Sequence, residues 1–182
     1  MDWQVRKARL EDASKIVDLA RNYDEFLMPY VLNEFVVRNY IDQFMVAERR
    51  GDLDLEPAQV VGGAVHYIDA DLVDDGLDDD NDGVCNFLLH VKQVPADIVE
   101  QFAAKEGRIA LLGQIVCPSK GSFYSILEEL KKQYNELWCW MSIVGPSYKS
   151  YLRYGFQFSE SREFWNVYKN DYSVFSLGRW VR

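Results

Sequence analysis

The chain has 182 residues, 48% of them apolar and 14% aromatic, with a formal net charge of −9. That composition suits one folded domain with a sizeable core and excludes a disordered chain. No apolar run has the length of a membrane span, the first residues lack the apolar centre of a secretory leader, and Cys85, Cys117 and Cys139 form no CxxC pair, so a reducing cytoplasm is expected rather than a disulfide framework or a zinc knuckle.

Taken in order, residues 3–10 alternate and predict a strand. Residues 11–23 place Ala13, Ile16, Val17, Ala20 and Tyr23 on one helical face. A second helix is predicted over about 30–44, with Leu32, Phe35, Val36, Tyr40 and Phe44 inward. Met45–Glu48 predicts a short strand and Val60–Ile68 a buried one. Gly62 and Gly63 in the latter point to a bulge or a close backbone contact.

The stretch 69–83 is acidic and predicts a loop. Asp78, Asp80, Asp82 and Gly83 sit at calcium-loop spacing, but Leu89 stands where the bidentate Glu belongs, so a solvated loop is the reading. Residues 86–94 predict a strand, and Pro95 opens a short helix to about Lys105. Arg108–Val116 is a nearly continuous apolar strand, leading through Pro118 and Gly121 into an amphipathic helix. Leu137–Val144 predicts another central strand. A short helix then ends at Gly155, Phe156–Ser159 and Glu163–Tyr168 predict a closing hairpin, and Tyr172–Trp180 a last strand. Strands alternating with helices predict a mixed α/β sheet.

The excess charge is concentrated. Residues 52–106 carry 14 acidic and 2 basic side chains, whereas the rest of the chain has a balance of +3. This argues against a duplex-DNA binder and favours a cationic substrate, while also serving solubility.

Three segments carry a family resemblance: Val5–Ala13; the stretch 46–67, VAERRGDLDLEPAQVVGGAVHY; and Tyr151-Leu152-Arg153-Tyr154-Gly155-Phe156, which is similar to a Y-x-x-x-G-F motif. With the order of elements, they resemble the GNAT (GCN5-related N-acetyltransferase) superfamily. The resemblance implies a single domain over 1–182 with an acidic insertion at about 69–106. It implies a mixed, mostly antiparallel central sheet with splayed fourth and fifth strands and helices on both faces. It also implies acetyl-CoA, or another acyl-CoA, as co-substrate. The pantetheine would bond to backbone at Gln114, Ile115 and Val116, with a bulge at Gly113. The diphosphate would sit on Lys120, Gly121, Ser122 and Phe123, where Phe123 replaces the small residue usual in the family. Tyr151 would protonate the departing thiolate. Val144 stands where the family often has Asn.

An attacking amine must lose a proton, because a free alkylammonium has a pKa near ~10.4. No acidic residue lies in 108–116, so His66 is the candidate base, with Asp69 and Glu48 behind it and His90 last. The acceptor implied is a cationic small-molecule or protein amine. A membrane partner is not expected, nucleic acid is disfavoured by charge, and exposed edge strands suggest a homodimer. Two other functions stay open: a GNAT-like binding module without chemistry, and a base-modifying enzyme resembling phage Mom that stacks bases on Trp138, Trp140 or Trp165.

Overall fold

In a computed structural model, residues 3–22, 29–50, 59–73, 84, 87–145 and 147–182 are described. The calcium-like motif and Cys85 lie outside them. The strands are β1 (Gln4–Lys7), β2 (Phe44–Arg50), β3 (Gln59–Asp69), β4 (Ile109–Val116), β5 (Glu136–Ser142), β6 (Gln157–Asn166) and β7 (Asp171–Val181). Their order is β1-β2-β3-β4-β5-β7-β6. The α-helices are α1 (Ala13–Arg21), α2 (Glu34–Asn39), α3 (Ala96–Ala103), α4 (Lys120–Gln133) and α5 (Tyr148–Arg153). The chain divides into two compact units, residues 1–67 with 114–132 and residues 68–113 with 133–182. The division cuts β3, β4 and α4, so neither unit is a contiguous stretch of chain.

In the first unit β1, β2 and β3 pair antiparallel. The β2–β3 register slips between Ala47 and Glu48, which leaves Gly62 as the extra residue of a bulge. This is where the paired glycines pointed. Helix α1 buries Ala13, Ile16, Val17 and Ala20, the face its periodicity marked. The helix predicted over 30–44 is broken into three pieces: a 3-10 turn at Pro29–Leu32, α2, and a 3-10 turn at Ile41–Gln43. The cause is local. The Asn33 side chain accepts the N–H groups of Phe35 and Val36 and so starts a new helix. That break re-aims the side chains. Val37 becomes the buried residue of α2, and Phe35, predicted inward, is 71% exposed.

In the second unit β4 and β5 run parallel, and β5–β7 and β7–β6 run antiparallel. The parallel ladder covers Ile109–Leu112 against Glu136–Cys139 and stops, although β4 continues to Val116 and β5 to Ser142. The recorded pairs end before Gly113. The strand predicted over 86–94 is a π-helical turn at Phe87–Val91, followed by Gln93 at φ +52°. A short apolar run cannot be assigned by periodicity alone. The predicted hairpin 156–168 is one strand, β6, with a register shift between Phe158 and Ser161. Its true turn comes later, where the Asn166 side chain accepts from Tyr168 and Lys169 N–H and Asn170 takes φ +50°. No helix among the described residues is long and apolar enough to cross a membrane.

Candidate functional site

The first unit brings two of the sequence-predicted residues together through a third that the sequence did not single out. His66 lies on β3 opposite Phe44 of β2, and the two rings stack at 4.8 Å. His66 is fully buried. Its Nδ1 is 3.1 Å from the hydroxyl of Tyr30, and its Nε2 is 3.4 Å from Oε1 of Gln43. The Tyr30 hydroxyl also accepts the backbone N–H of Gln114 at 3.1 Å. One hydrogen-bonded chain therefore joins the β4 amide, Tyr30, His66 and Gln43. No motif could have revealed Tyr30, which stands 36 residues from His66 and 84 from Gln114 in sequence. Further along β4, Ile115 is half-buried and Val116 is buried.

The start of α4 is built around Ser119. Its Oγ accepts the Ser122 N–H at 3.0 Å, and its carbonyl accepts both the Ser122 hydroxyl, at 2.9 Å, and the Phe123 N–H. This is an ordinary N-cap. Ser122 and Phe123 are buried, whereas Lys120 and Gly121 are exposed. In the first turn a helix offers N–H groups that have no acceptor of their own, with partial positive charge. Trp3 packs close by: a side chain added at Gly121 would come within 3.0 Å of Trp3 Nε1. The two β3 glycines serve the same seam. A Cβ at Gly62 would run into the Trp3 ring, and one at Gly63 would sit 2.8 Å from Cys117 Sγ and from Ser122 Oγ. Burial pushes the Cys117 thiol up to about 12, so it is no ready nucleophile.

Glu48 does not act as a free carboxylate. It accepts Nε and Nη2 of Arg6 at 2.9 and 2.7 Å, while Asp12 accepts Nη1 and Nη2 of the same guanidinium. Burial opposes the Asp12 charge, but the Arg6 bonds and the Arg9 N–H hold this carboxyl below the usual carboxylate range.

Tyr151 belongs to the second unit. It is buried on α5, edge-on to Phe156 at 4.8 Å. Gly155, at φ +83°, ends the helix, and the Phe156 N–H returns to the Tyr151 carbonyl. The Y-x-x-x-G-F motif is thus a helix C-cap that clamps its own tyrosine. In the same unit, Asp69 accepts the Tyr134 hydroxyl at 3.0 Å and caps a 3-10 turn through the Asp71 N–H. His90 is exposed on the π-helical turn. Trp138 and Trp140 are core residues rather than stacking platforms, and only Trp165 is half-exposed. Burial raises the Cys139 thiol.

A cleft of about 310 Å³ in this unit is lined by Gln101, Trp140, Ser161, Arg162 and Arg179 among others. Its cations are engaged, Arg162 with Asp97 and Arg179 with Gln101 and the Trp138 ring. Among the described residues no group of three or more His, Cys, Asp or Glu side chains could hold a metal.

No protein-family model matches the sequence. No curated protein matches it either. Solved structures do. Arabidopsis thaliana NAA60 in complex with acetyl-CoA is similar at a TM-score of 0.63 and 11% identity, over 99% of this chain and 98% of that one. Drosophila melanogaster polyamine N-acetyltransferase, which forms N-acetylagmatine, is similar at 0.63 and 9% identity over the whole of both chains. The ribosomal-protein-alanine N-acetyltransferase of Brucella melitensis is similar at 0.61 and 10% identity, over 98% of this chain and 99% of that one. At such identities the likeness is one of architecture. With the strand order and the short parallel ladder described above, it shows that this chain has the GNAT fold, in a divergent form.

Proposed function

We propose that the protein is an acyl-CoA-dependent N-acyltransferase, with acetyl-CoA as donor and an amine of a small molecule or protein as acceptor. The observation that carries this reading is the full-length likeness to N-acetyltransferases, one of them solved with acetyl-CoA. The residues present fit the diphosphate end of a coenzyme A. Lys120 and Gly121 are exposed in the first turn of a 14-residue helix, which suits an anion. Ser122 and Phe123 contribute by fixing that turn rather than by reaching out. Gln114, Ile115 and Val116 would hold the pantetheine by their backbone. Once bound, the donor supplies an acyl group activated as a thioester. Tyr151 is assigned the thiolate's proton on its motif, and His66 the amine's proton on its chemistry.

One observation favours a second reading, a binding module without acyl transfer. The Gln114 and Ser122 N–H groups, both on the segment assigned to the donor, are already bonded to Tyr30 and Ser119. Calorimetry with acetyl-CoA supplies the test. Micromolar binding is expected, weakened by roughly tenfold, about 1.4 kcal/mol, in Lys120→Glu. Absence of binding would overturn the transferase reading.

A further inference from the structure

We infer that the cleft between α3 and strands β5, β7 and β6 is a binding site for a small organic carboxylate, which the Nε and Nη2 edge of Arg179 receives. The inference goes beyond acyl transfer and does not rest on it. Every residue concerned belongs to the second unit, apart from one comparison.

Two missing acceptors point to it. Among the described residues two buried side-chain donors have no acceptor, Trp140 Nε1 and Arg179 Nε, and both residues line this cleft. Buried donors are seldom left so, because an unmade hydrogen bond forfeits the donor's solvation. The surroundings of Arg179 indicate what is missing. Its Nη2 donates to the Gln101 side-chain oxygen at 3.1 Å, and its guanidinium carbon lies 4.1 Å from the Trp138 ring centroid. The Nε–H and Nη2–H bonds of a guanidinium leave side by side, spaced for a carboxylate. Here a neutral amide with a single oxygen fills half of that fork. Arg6, in the other unit, shows the same edge filled: its Nε and Nη2 both reach the Glu48 carboxylate, at 2.9 and 2.7 Å.

Charge supports a single carboxylate. Asp97 holds Arg162 through two bonds of 2.8 Å. Glu136, whose charge also acts on Arg179, is bonded to Lys105 at 2.8 Å. Each of these carboxylates thus has its own cation, and Arg179 has no salt bridge among the described residues. One positive charge is left over, which one carboxylate neutralises. The walls favour an organic body: Ile98 and Leu177 are buried apolar residues of the lining, beside the Trp140 ring. A volume of about 310 Å³ suits a small molecule of that kind. Gln101 is exposed on α3 and is the side chain that yields. An entering carboxylate replaces its neutral bond by a charge-assisted pair, which is the stronger interaction.

Nitrogen-15 NMR of the full chain, titrated with sodium benzoate, tests the site. Saturable shifts of the Arg179 Nε–H and Trp140 indole N–H signals are expected, with a Kd of roughly 1 mM. Benzamide, which has the same ring without the charge, should give none. Gln101→Glu offers the fork a carboxylate from the chain itself, at an exposed position that leaves the core untouched. It is expected to shift the Arg179 signal without any ligand and to weaken benzoate by at least about tenfold. Arg179 signals that ignore benzoate, benzamide binding as tightly as benzoate, or wild-type affinity in Gln101→Glu each overturn the site. Inorganic phosphate binding as tightly as benzoate overturns its assignment to an organic carboxylate.

Discussion

Lys92 is only 4% exposed, and its ammonium has no salt bridge among the described residues. Burial pushes its pKa down from 10.5 to about 8. At neutral pH the folded protein therefore carries a desolvated charge that the unfolded chain carries in water. Between about 8 and 10.5 the unfolded state binds the extra proton, so stability rises with pH across that window. Lys92→Met is expected to raise the unfolding free energy at pH 7 by about 3 kcal/mol, with the gain fading above pH 10.5. Urea titrations at the two pH values measure it, and equal gains at both would show that charge is not the cause. Nothing in the sequence marked Lys92, because burial is a property of the fold. His66 was visible for the opposite reason: imidazole chemistry near neutrality is intrinsic to the side chain. Its partner Tyr30 was invisible, as one of 11 tyrosines with no periodicity to single it out.

Among the elements, those whose signals are local came through. Helix α1 follows its apolar stripe, Gly155 ends α5, and Gly62 sits in a bulge. Gly63 was legible as a close approach, though not what approaches it. The neighbours are Cys117 and Ser122, which the first turn of α4 brings against β3. Gly63→Ala forces a Cβ to 2.8 Å from both and is expected to lower stability by about 1–3 kcal/mol, read as a lower melting temperature. A neutral result would mean that the seam yields. Elements settled by competition were misread. Residues 86–94 satisfy a strand pattern but close as a π-helical turn. The single predicted helix 30–44 yields to the Asn33 cap, and the polar run Ser159–Arg162 looks like a turn yet continues as an end strand.

For the molecule as a whole, charge is the property that composition carries furthest. The net charge of −9 should draw a cationic acceptor toward the protein. Acetyl transfer to spermidine is expected to lose several-fold in kcat/KM between low and ~0.5 M salt, since screening shortens the reach of the field, whereas a neutral amine should be little affected. Equal salt sensitivity for both acceptors would remove charge steering from the account. The order of strands and helices was written in the chain, because hydrophobic period and turn chemistry act between near neighbours, whereas the GNAT architecture was implied by the resemblance of three segments. What only the tertiary structure decided was which distant groups share a proton or a charge: Tyr30 with His66 and the Gln114 amide, Arg6 with Asp12 and Glu48, and Lys92, buried with no salt bridge among the described residues. Those pairings depend on how separate elements stack. Packing is set by the sum of many contacts, and no short stretch of sequence contains it.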